Sequence, residues 1–238
     1  MRILLVGYGK MGQAIEKIAI DRGHQIAGKI SIDNEADLHS FSSDNCDVAI
    51  EFTQPSSGFN NITSCIKKGI PVVSGTTGWL DKWDNVDTLV EEKKGAFFYA
   101  SNYSIGVNIF FKLNQYLAKM MNQFPDYDIQ TDETHHTHKL DAPSGTAITL
   151  AEGIDKEINR VVGWHLSTEN KKESIPITAI RKGEVPGTHS IEYNSEIDSI
   201  TIQHEAHSRQ GFASGAVVAA EWLVGKQGMF GMDDMLKL

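Results

Sequence analysis

The 238-residue sequence has little cysteine. Cys46 and Cys65 are the two present, and neither lies in a C-x-x-C or other metal-ligand spacing. This count fits a reducing compartment, and a chain of this length has enough core to fold without disulfide staples. No apolar run approaches the roughly 18 residues of a membrane span. The apolar start ends at Gly7, too early for a signal peptide, so we expect a cytoplasmic protein with no membrane partner.

Positive charge is also scarce. The sequence carries 22 Lys and Arg against 31 Asp and Glu, a formal net charge of −9. The surface as a whole would repel a polyanion, so we expect no nucleic-acid partner. A local cluster of basic side chains is informative against this acidic background.

The first hundred residues alternate between short apolar runs and segments of helical periodicity. Apolar or strand-like runs cover 3–6, 25–32, 47–52, 71–74 and 96–99, and helical patterns cover 11–22, 57–68 and 79–94. Strands that alternate with helices indicate a parallel sheet covered on both faces. The sequence therefore predicts an α/β fold whose N-terminal domain, residues 1–104, has a Rossmann-type parallel sheet.

The pattern changes after residue 105. A helix to about 123, an alternating segment at 127–133 and a helix from about 144 to 160 are followed by strand-like runs at 175–181, 188–193 and 199–204. We expect an α+β domain over 105–210 with a largely antiparallel or mixed sheet. A last helix, 212–226, closes the chain, and we expect the segment 211–238 to pack back on the first domain.

A glycine-rich turn follows the first strand and opens the first helix. Its residues are Gly7-Tyr8-Gly9-Lys10-Met11-Gly12. In this context a G-x-G-x-x-G pattern indicates dinucleotide binding, because Gly7 permits the tight turn, Gly9 lets a pyrophosphate approach the backbone and Gly12 lets helix and strand pack closely. Asp33, near the end of the second strand, is the best-placed acid for the adenosine ribose. A carboxylate there favours NAD over NADP, although Lys29 lies nearby and Asp33 also suits a turn.

Two more loops follow strands at the edge where open α/β sheets bind ligands. One contains Gly75-Thr76-Thr77-Gly78 and the other Ala100-Ser101-Asn102-Tyr103. Their small and hydroxyl side chains suit hydrogen bonds to a nicotinamide ribose and carboxamide. Ordinary helix-capping loops would have a similar composition.

The most distinctive stretch is E-T-H-H-T-H-K-L-D-A-P-S-G-T, from Glu133 to Thr146. It places three of the nine histidines and a lysine directly before a helix start. Imidazoles and an ammonium supply protons and positive charge, and free backbone N–H groups at Ser144-Gly145-Thr146 supply oriented donors. Pro143 sets the helix start just beyond it, with Ser144 or Asp141 as the cap. The stretch predicts a site for a carboxylate or phosphate.

Taken together, these motifs resemble the dihydrodipicolinate reductase family, also called 4-hydroxy-tetrahydrodipicolinate reductase, nearly end to end. The resemblance is carried by Gly7 to Gly12, Ser74 to Gly78, Ser101 to Ser104 and, above all, Glu133-x-His135-His136-x-x-Lys139-x-Asp141-Ala142-Pro143-Ser144-Gly145-Thr146-Ala147. It implies NADH- or NADPH-dependent reduction of a cyclic dicarboxylate in the diaminopimelate route to lysine. It also implies a homotetramer formed through the sheet of the second domain.

The resemblance further implies roles for individual residues. His135 would be the catalytic proton donor or acceptor and Lys139 the second proton donor. His136, Ser144, Gly145 and Thr146 would line the substrate pocket, and Arg209 belongs to a late segment able to close on a substrate carboxylate. The cofactor contacts would be Gly7 to Gly12, Gly75 to Thr77, and Ala100 to Tyr103.

One departure concerns the end of the second strand. Better known members of the family carry an acid there, sometimes followed by arginine, whereas this sequence has Ser31-Ile32, and we expect Asp33 to take the role two residues later. The choice between NADH and NADPH is therefore left open.

Two competing interpretations remain. In one, His136 and His138 alternate like zinc ligands near Asp132, Glu133 and Asp141, although clustered histidines beside a lysine suit an anion better than a dication. In the other, the protein is an NAD-binding sensor without turnover or another Rossmann-type dehydrogenase for a small carboxylate. The histidines outside the cluster, His24, His39, His165 and His189, are expected at the surface or in turns.

Overall fold

The structure, a computed structural model, describes residues 1–169, 171–208 and 210–237. The chain forms two compact units: Met1–Ile105 with Gln210–Leu238, and Gly106–Arg209. Among the described residues, no helix is both long and apolar enough to cross a membrane.

The first unit is built on a six-stranded sheet in which all neighbouring strands are parallel. Its strands are β1 (Arg2–Val6), β2 (Gln25–Ile30), β3 (Val48–Glu51), β4 (Val72–Ser74), β5 (Ala96–Tyr99) and β11 (Gly228–Phe230). The apolar run Ile3 to Val6 is at most 1% exposed, and burial of each such side chain contributes about 1.5–3 kcal/mol. The predicted parallel sheet is confirmed.

Helices cover both faces of this sheet. They are α1 (Lys10–Asp21), α2 (Pro55–Lys67), α3 (Trp83–Lys93), α6 (Gln210–Leu223) and the short α7 (Met232–Leu236). One apolar core contains residues of α1 and α6, and a second contains residues of α2 and α3. The closing helix α6 packs against α1 and against β3, β4 and β5.

The strand order of the first sheet is β11-β5-β4-β3-β1-β2. The direction in which successive strands are added across the sheet reverses at β1, because β2 lies on one side of β1 and the later strands lie on the other. Ligands of open α/β sheets bind in the crevice at the carboxyl ends of the strands at such a point. The turn after β1 and the segment after β3 both lie there.

The second unit contains a five-stranded mixed sheet of order β10-β9-β6-β8-β7. Its elements are α4 (Ile105–Met121), β6 (Asp128–His135), α5 (Gly145–Asp155), β7 (Trp164–Leu166), β8 (Ile175–Arg181), β9 (Thr188–Asn194) and β10 (Ser199–Glu205). Residues of α4 and α5 share an apolar core with inward-facing residues of β8 and β9. The predicted α+β unit with a mixed sheet is confirmed.

The sequence prediction missed some short elements. The three-residue strands β7 and β11 were not predicted, because a run of that length carries too little periodicity to be seen. The helix predicted from residue 79 begins at Trp83 after a 3₁₀ turn at Leu80–Lys82, and the one predicted to 160 ends at Asp155.

Candidate active site

The glycine-rich turn has the sterics that the sequence predicted. Gly7 has a φ of +99°, and a Cβ on it would lie 2.0 Å from the Phe52 carbonyl oxygen. A Cβ on Gly12 would lie 2.2 Å from the Gly7 carbonyl oxygen, so this glycine lets α1 pack on the turn. Gly9 has nothing within 4 Å of the same position. The fold requires glycine at 7 and 12, whereas Gly9 leaves open space in front of the backbone.

A cavity of about 580 Å³ opens at this turn. Its walls come from the carboxyl ends of β1, β2 and β3 and the start of α2, and they include Gly7, Tyr8, Gly9 and Asp33 of the predicted cofactor residues. Thr53 and Gln54, which follow β3, also line it and were not predicted. Their position after a buried strand next to β1 was the signal that could have found them.

The polar end of the cavity is acidic. Asp33 and Glu35 line it, and among the described lining residues there is no lysine or arginine. Lys29 is held elsewhere, with its Nζ 2.6 Å from Glu16 and 3.2 Å from the Tyr8 hydroxyl. Ser31, at the aligned position, donates its N–H to Asn34 at 2.7 Å.

Of the predicted loops after β4 and β5, the first is held by a buried carboxylate, Glu51. The Ser74 and Thr76 hydroxyls donate to it at 2.6 and 2.8 Å, and the Thr53 hydroxyl donates as well. Burial raises the pKa of Glu51, and these hydrogen bonds oppose that shift. Thr76 also accepts the Thr53 N–H at 2.7 Å, so the segments after β3 and β4 are tied together.

The other residues predicted in these loops differ in exposure. Tyr103 is buried and donates its hydroxyl to the Ser74 carbonyl at 2.7 Å, and a Cβ on Gly75 would lie 2.2 Å from the Phe52 ring. Ala100 is buried, whereas Thr77 and Ser101 are exposed. Lys10 is exposed, Asn102 is half-buried, and half-buried Met11 packs against the core. The side chains of Thr76 and Tyr103 thus support the loops from within.

The second unit carries the histidine-rich stretch. On β6, Thr131, Glu133 and His135 face the interior, because alternate residues of a strand share a face. The strand pairings set Glu133 opposite His189 of β9 and His135 opposite Arg181 of β8. His135 is 7% exposed, its Nδ1 lies 3.5 Å from Glu133 Oε2, and its ring lies 5.0 Å from that of His189.

A turn after the end of β6 determines the position of Lys139. An extended chain over 133–139 would put His135 and Lys139 on one face, but β6 ends at His135, and the Lys139 N–H donates to the His136 carbonyl at 3.2 Å. The Lys139 ammonium donates to both Asp141 carboxylate oxygens at 2.9 and 2.8 Å. The ion pair lowers the pKa of Asp141, so Lys139 faces an ionised partner.

Helix α5 begins as predicted, just beyond Pro143. Ser144 is the N-cap, and its hydroxyl accepts the Ala147 N–H at 3.2 Å. Gly145 is exposed with nothing within 4 Å of a Cβ, and Thr146 is half-buried. The first-turn amides of a helix have no partner within it, so this helix start presents donors beside the cluster.

Burial and neighbouring charges set the protonation states of His135 and Glu133. Desolvation lowers the pKa of His135 to about 4, against the attraction of Glu133, and the charges of His189, Lys139 and Arg181 lower it further. Burial opposes ionisation of Glu133, but the nearby His189 imidazole, the hydrogen bond from the Ser144 N–H and the attraction of His135 outweigh it and lower its pKa to about 2. At neutral pH the imidazole is uncharged and the carboxylate ionised.

The prediction that His165 and His189 lie at the surface or in turns was wrong. They are 6% and 5% exposed, and His189 Nε2 lies 3.2 Å from the Ser144 hydroxyl. The sequence carried a weak signal, since His189 alternates with Ile191 and Tyr193 on the inward face of β9. Arg181 was also missed: it donates to Glu133 at 3.1 Å, where β8 had given only an apolar pattern.

The zinc interpretation finds little support in this geometry. His138 is an exposed side chain 3.3 Å from Glu184. Glu133, His135 and His189 do hold possible ligand atoms within 4.8 Å of one another. The Glu133 oxygens, however, already accept the Ser144 N–H and the Arg181 guanidinium, and a cationic neighbour disfavours a dication.

Arg209, predicted in the substrate pocket, lies outside the described residues.

Comparisons with known proteins agree over nearly the whole chain. The family model described as "Dihydrodipicolinate reductase, N-terminus" matches residues 1–103, and "Dihydrodipicolinate reductase, C-terminus" matches residues 106–236. A Christiangramia forsetii protein named 4-hydroxy-tetrahydrodipicolinate reductase is 51% identical over 236 residues, which are 99% of this chain and 98% of that protein.

Solved structures share the fold. A dipicolinate-bound dihydrodipicolinate reductase from Paenisporosarcina sp. TG-14 has a TM-score of 0.77 at 23% identity, covering 98% of this chain and 99% of the other. A probable dehydrogenase from Thermotoga maritima has a TM-score of 0.54 at 10% identity, covering 99% and 92%. With both family models and a close full-length relative in agreement, this chain belongs to the dihydrodipicolinate reductase family of NAD(P)H-dependent oxidoreductases.

Proposed function

We propose that this chain reduces 4-hydroxy-tetrahydrodipicolinate to tetrahydrodipicolinate with NADH or NADPH, in the diaminopimelate route to lysine. The observation that carries the proposal is 51% identity over 99% of the chain to a relative named for this activity. The dipicolinate held by the related solved structure is a small dicarboxylate of the kind that the cluster on β6 and α5 suits.

The first unit is the proposed dinucleotide-binding domain. Open space at Gly9 and the cavity at the carboxyl ends of β1 and β3 fit a pyrophosphate and an adenosine ribose, with Asp33 as the ribose acceptor. When bound, the nicotinamide supplies the hydride. The loops around Gly75, Thr76 and Thr77 and around Ala100 to Tyr103 are the proposed contacts for its half of the cofactor. The acidic cavity end favours NADH, since a 2′-phosphate would meet carboxylates.

The second unit is the proposed substrate-binding and oligomerisation domain. Lys139, His136 and the amides of Gly145 and Thr146 would hold a substrate carboxylate, and Ser144 fixes the start of that helix. Arg209 keeps its predicted role as a closing cation. His135 or Lys139 would deliver the proton that follows hydride addition. A dianionic substrate beside the neutral His135 would raise its pKa and favour the charged imidazolium.

The test is a turnover assay with enzymatically generated substrate, following the loss of NADH absorbance. We expect oxidation by the unmodified protein, and His135→Ala should lower turnover by roughly two to four orders of magnitude with NADH binding intact. His138→Ala is the matched control, because that histidine is exposed and its ion-pair partner, Glu184, is exposed as well. Tight NADH binding without oxidation would favour the sensor interpretation.

The same assay run with NADPH tests the cofactor proposal. Asp33→Ala should weaken the binding of NADH and reduce the preference of the protein for NADH over NADPH. The variant removes an acceptor for the ribose and a charge that repels the 2′-phosphate. An unaltered preference would remove Asp33 from the ribose site.

For the whole protein we propose a cytoplasmic homotetramer.

A further inference from the structure

Glu133 is a fully buried carboxylate with several partners. It is 0% exposed, and its oxygens accept the Ser144 N–H at 3.2 and 3.1 Å and the Arg181 guanidinium at 3.1 Å. His189 Nε2 lies 3.7 Å from Oε2. A buried charge is tolerated only with such compensation, so these groups keep the carboxylate in one place and ionised.

The same carboxylate faces the imidazole of His135. Oε2 lies 3.5 Å from Nδ1 without an aligned hydrogen bond, and the negative charge at that distance favours the tautomer with the proton on Nδ1. The opposite edge of the ring borders Gly187, where a Cβ would lie 3.2 Å from Nε2 and 3.4 Å from Cδ2. Glycine at 187 leaves Nε2 clear of a side chain, so Glu133 behind the ring and Gly187 in front of it define which nitrogen can exchange a proton with a ligand.

Arg181 extends this arrangement to the loop that carries Lys139. Its Nε donates to the Lys139 carbonyl at 3.3 Å, and its Nη2 donates to the Asp141 carbonyl at 2.5 Å as well as to Glu133. A planar guanidinium can bond several acceptors at fixed angles, which a lysine ammonium cannot do. The loop from His136 to Pro143 is thus fastened to β6 and β8 through one side chain.

We propose that Glu133 is a positioning residue that, directly and through Arg181, fixes three parts of the substrate site relative to one another: the His135 imidazole, the loop bearing Lys139 and the start of α5. The effect on turnover rests on the proposed function, whereas the effect on His135 and the loop is a property of the second unit itself. The other titratable groups that face His135 are His189, Lys139 and Arg181.

Glu133→Gln removes the negative charge of the side chain and keeps its size, so it tests the positioning role without changing the packed volume. Its amide oxygen would be held by the Ser144 N–H and Arg181, which turns the NH₂ toward His135 Nδ1 and forces the ring proton onto Nε2. Nitrogen-15 NMR of the His135 ring should report that change of tautomer, and kcat should fall about 100-fold, within the 10²–10⁴ that a positioned general acid contributes. KM for NADH should stay within about 2-fold.

The matched control is Glu184→Gln, which removes the same charge from an exposed carboxylate near His138. It should change neither tautomer nor kcat. An unchanged tautomer and kcat in Glu133→Gln would overturn the proposal. If the unmodified protein bound NADH but did not turn over, the proposed function would fail, and the NMR measurement would still decide the positioning role.

Arg181→Lys provides a second variant should Glu133→Gln not fold. It keeps the positive charge, but its three donors share one nitrogen, so it loses the spread geometry by which Nε and Nη2 of Arg181 bond the Lys139 carbonyl, the Asp141 carbonyl and Glu133. Amide hydrogen exchange at residues 139–144 should speed up at least 10-fold, with exchange in α4 unchanged, and kcat should fall without a change in NADH binding. Unchanged exchange at 139–144 would refute the link through Arg181.

Discussion

His135 is the residue at which burial and the proposed chemistry oppose each other most directly. Desolvation lowers its pKa to about 4, so the free protein holds it neutral at pH 7, yet a proton donor must carry a proton when it acts. The opposition is resolved if an anionic ligand arrives together with the proton. The resting cluster is then neutral at the imidazole and negative at Glu133.

The same shift makes a prediction about stability. An unfolded His135 titrates near 6.5 and the folded one near 4, so between these values the unfolded state binds more protons and stability falls as pH drops from 6.5 toward 4. The loss should reach about 3 kcal/mol at most. Urea unfolding at pH 7 and pH 5 measures it, and His135→Gln should lack this part of the slope.

Glu133 affects the free energy of unfolding in a different pH range from His135, so the two contributions can be measured separately. Its folded pKa of about 2 lies below its ordinary value of 4.5, so its stabilisation is present above pH 4.5 and is lost as pH falls toward 2. Equal slopes between pH 7 and 5 for the unmodified protein and His135→Gln would contradict the assignment to His135.

At the scale of an element, the turn between β1 and α1 assigns different tasks to its glycines. The backbone of Gly9 has φ −87° and ψ −157°, which any residue can adopt, and there is free space at its Cβ position. Gly12 has no such freedom, because the Gly7 carbonyl occupies the place of a side chain. The fold explains Gly12, whereas the cofactor contact that we propose would explain Gly9.

This contrast predicts opposite results for two similar variants. Gly9→Ala should leave the free energy of unfolding within about 0.5 kcal/mol and weaken NADH binding at least 10-fold, because a methyl group would stand where the pyrophosphate approaches. Gly12→Ala should destabilise the protein by about 1–3 kcal/mol through overpacking. Urea unfolding and NADH fluorescence titration check both. Unimpaired NADH binding in Gly9→Ala would place the pyrophosphate elsewhere.

At the scale of the whole molecule, the second sheet has one covered and one open face. Helices α4 and α5 share the core of one face, and the other carries polar and half-exposed side chains with Ile180 42% exposed among them. Antiparallel and mixed sheets can leave one face to water, but such a face also suits a flat contact between copies of a chain. This is the surface at which we propose that the tetramer forms.

Sedimentation velocity should therefore give a mass of about four times the 26.3 kDa chain. Ile180→Lys should lower that mass, because it puts a charge into the proposed contact. Ile197→Lys is the control: Ile197 is 91% exposed in the turn between β9 and β10, away from the open face. A monomer at micromolar concentration, or equal effects of both substitutions, would exclude this interface.

The sequence by itself determined the fold class, the family and the turn at Gly7 to Gly12, since each of these follows from local patterns and from their order along the chain. Alternating strands and helices, a glycine spacing and a proline-set helix start are visible over a few to a dozen residues. The roles of His135 and Lys139 in turnover stay predictions, as does the role of Asp33.

Only the tertiary structure decided what surrounds His135. His189 and Arg181 lie more than forty residues after Glu133 in the chain, and the pairing of β6 with β9 and β8 brings them to it. A buried carboxylate must find donors wherever strand register places them, and register depends on the packing of the whole sheet. The stretch from Glu133 to Thr146 could therefore be singled out from the chain, whereas Arg181, His189 and the network that they form with Glu133 follow from the fold.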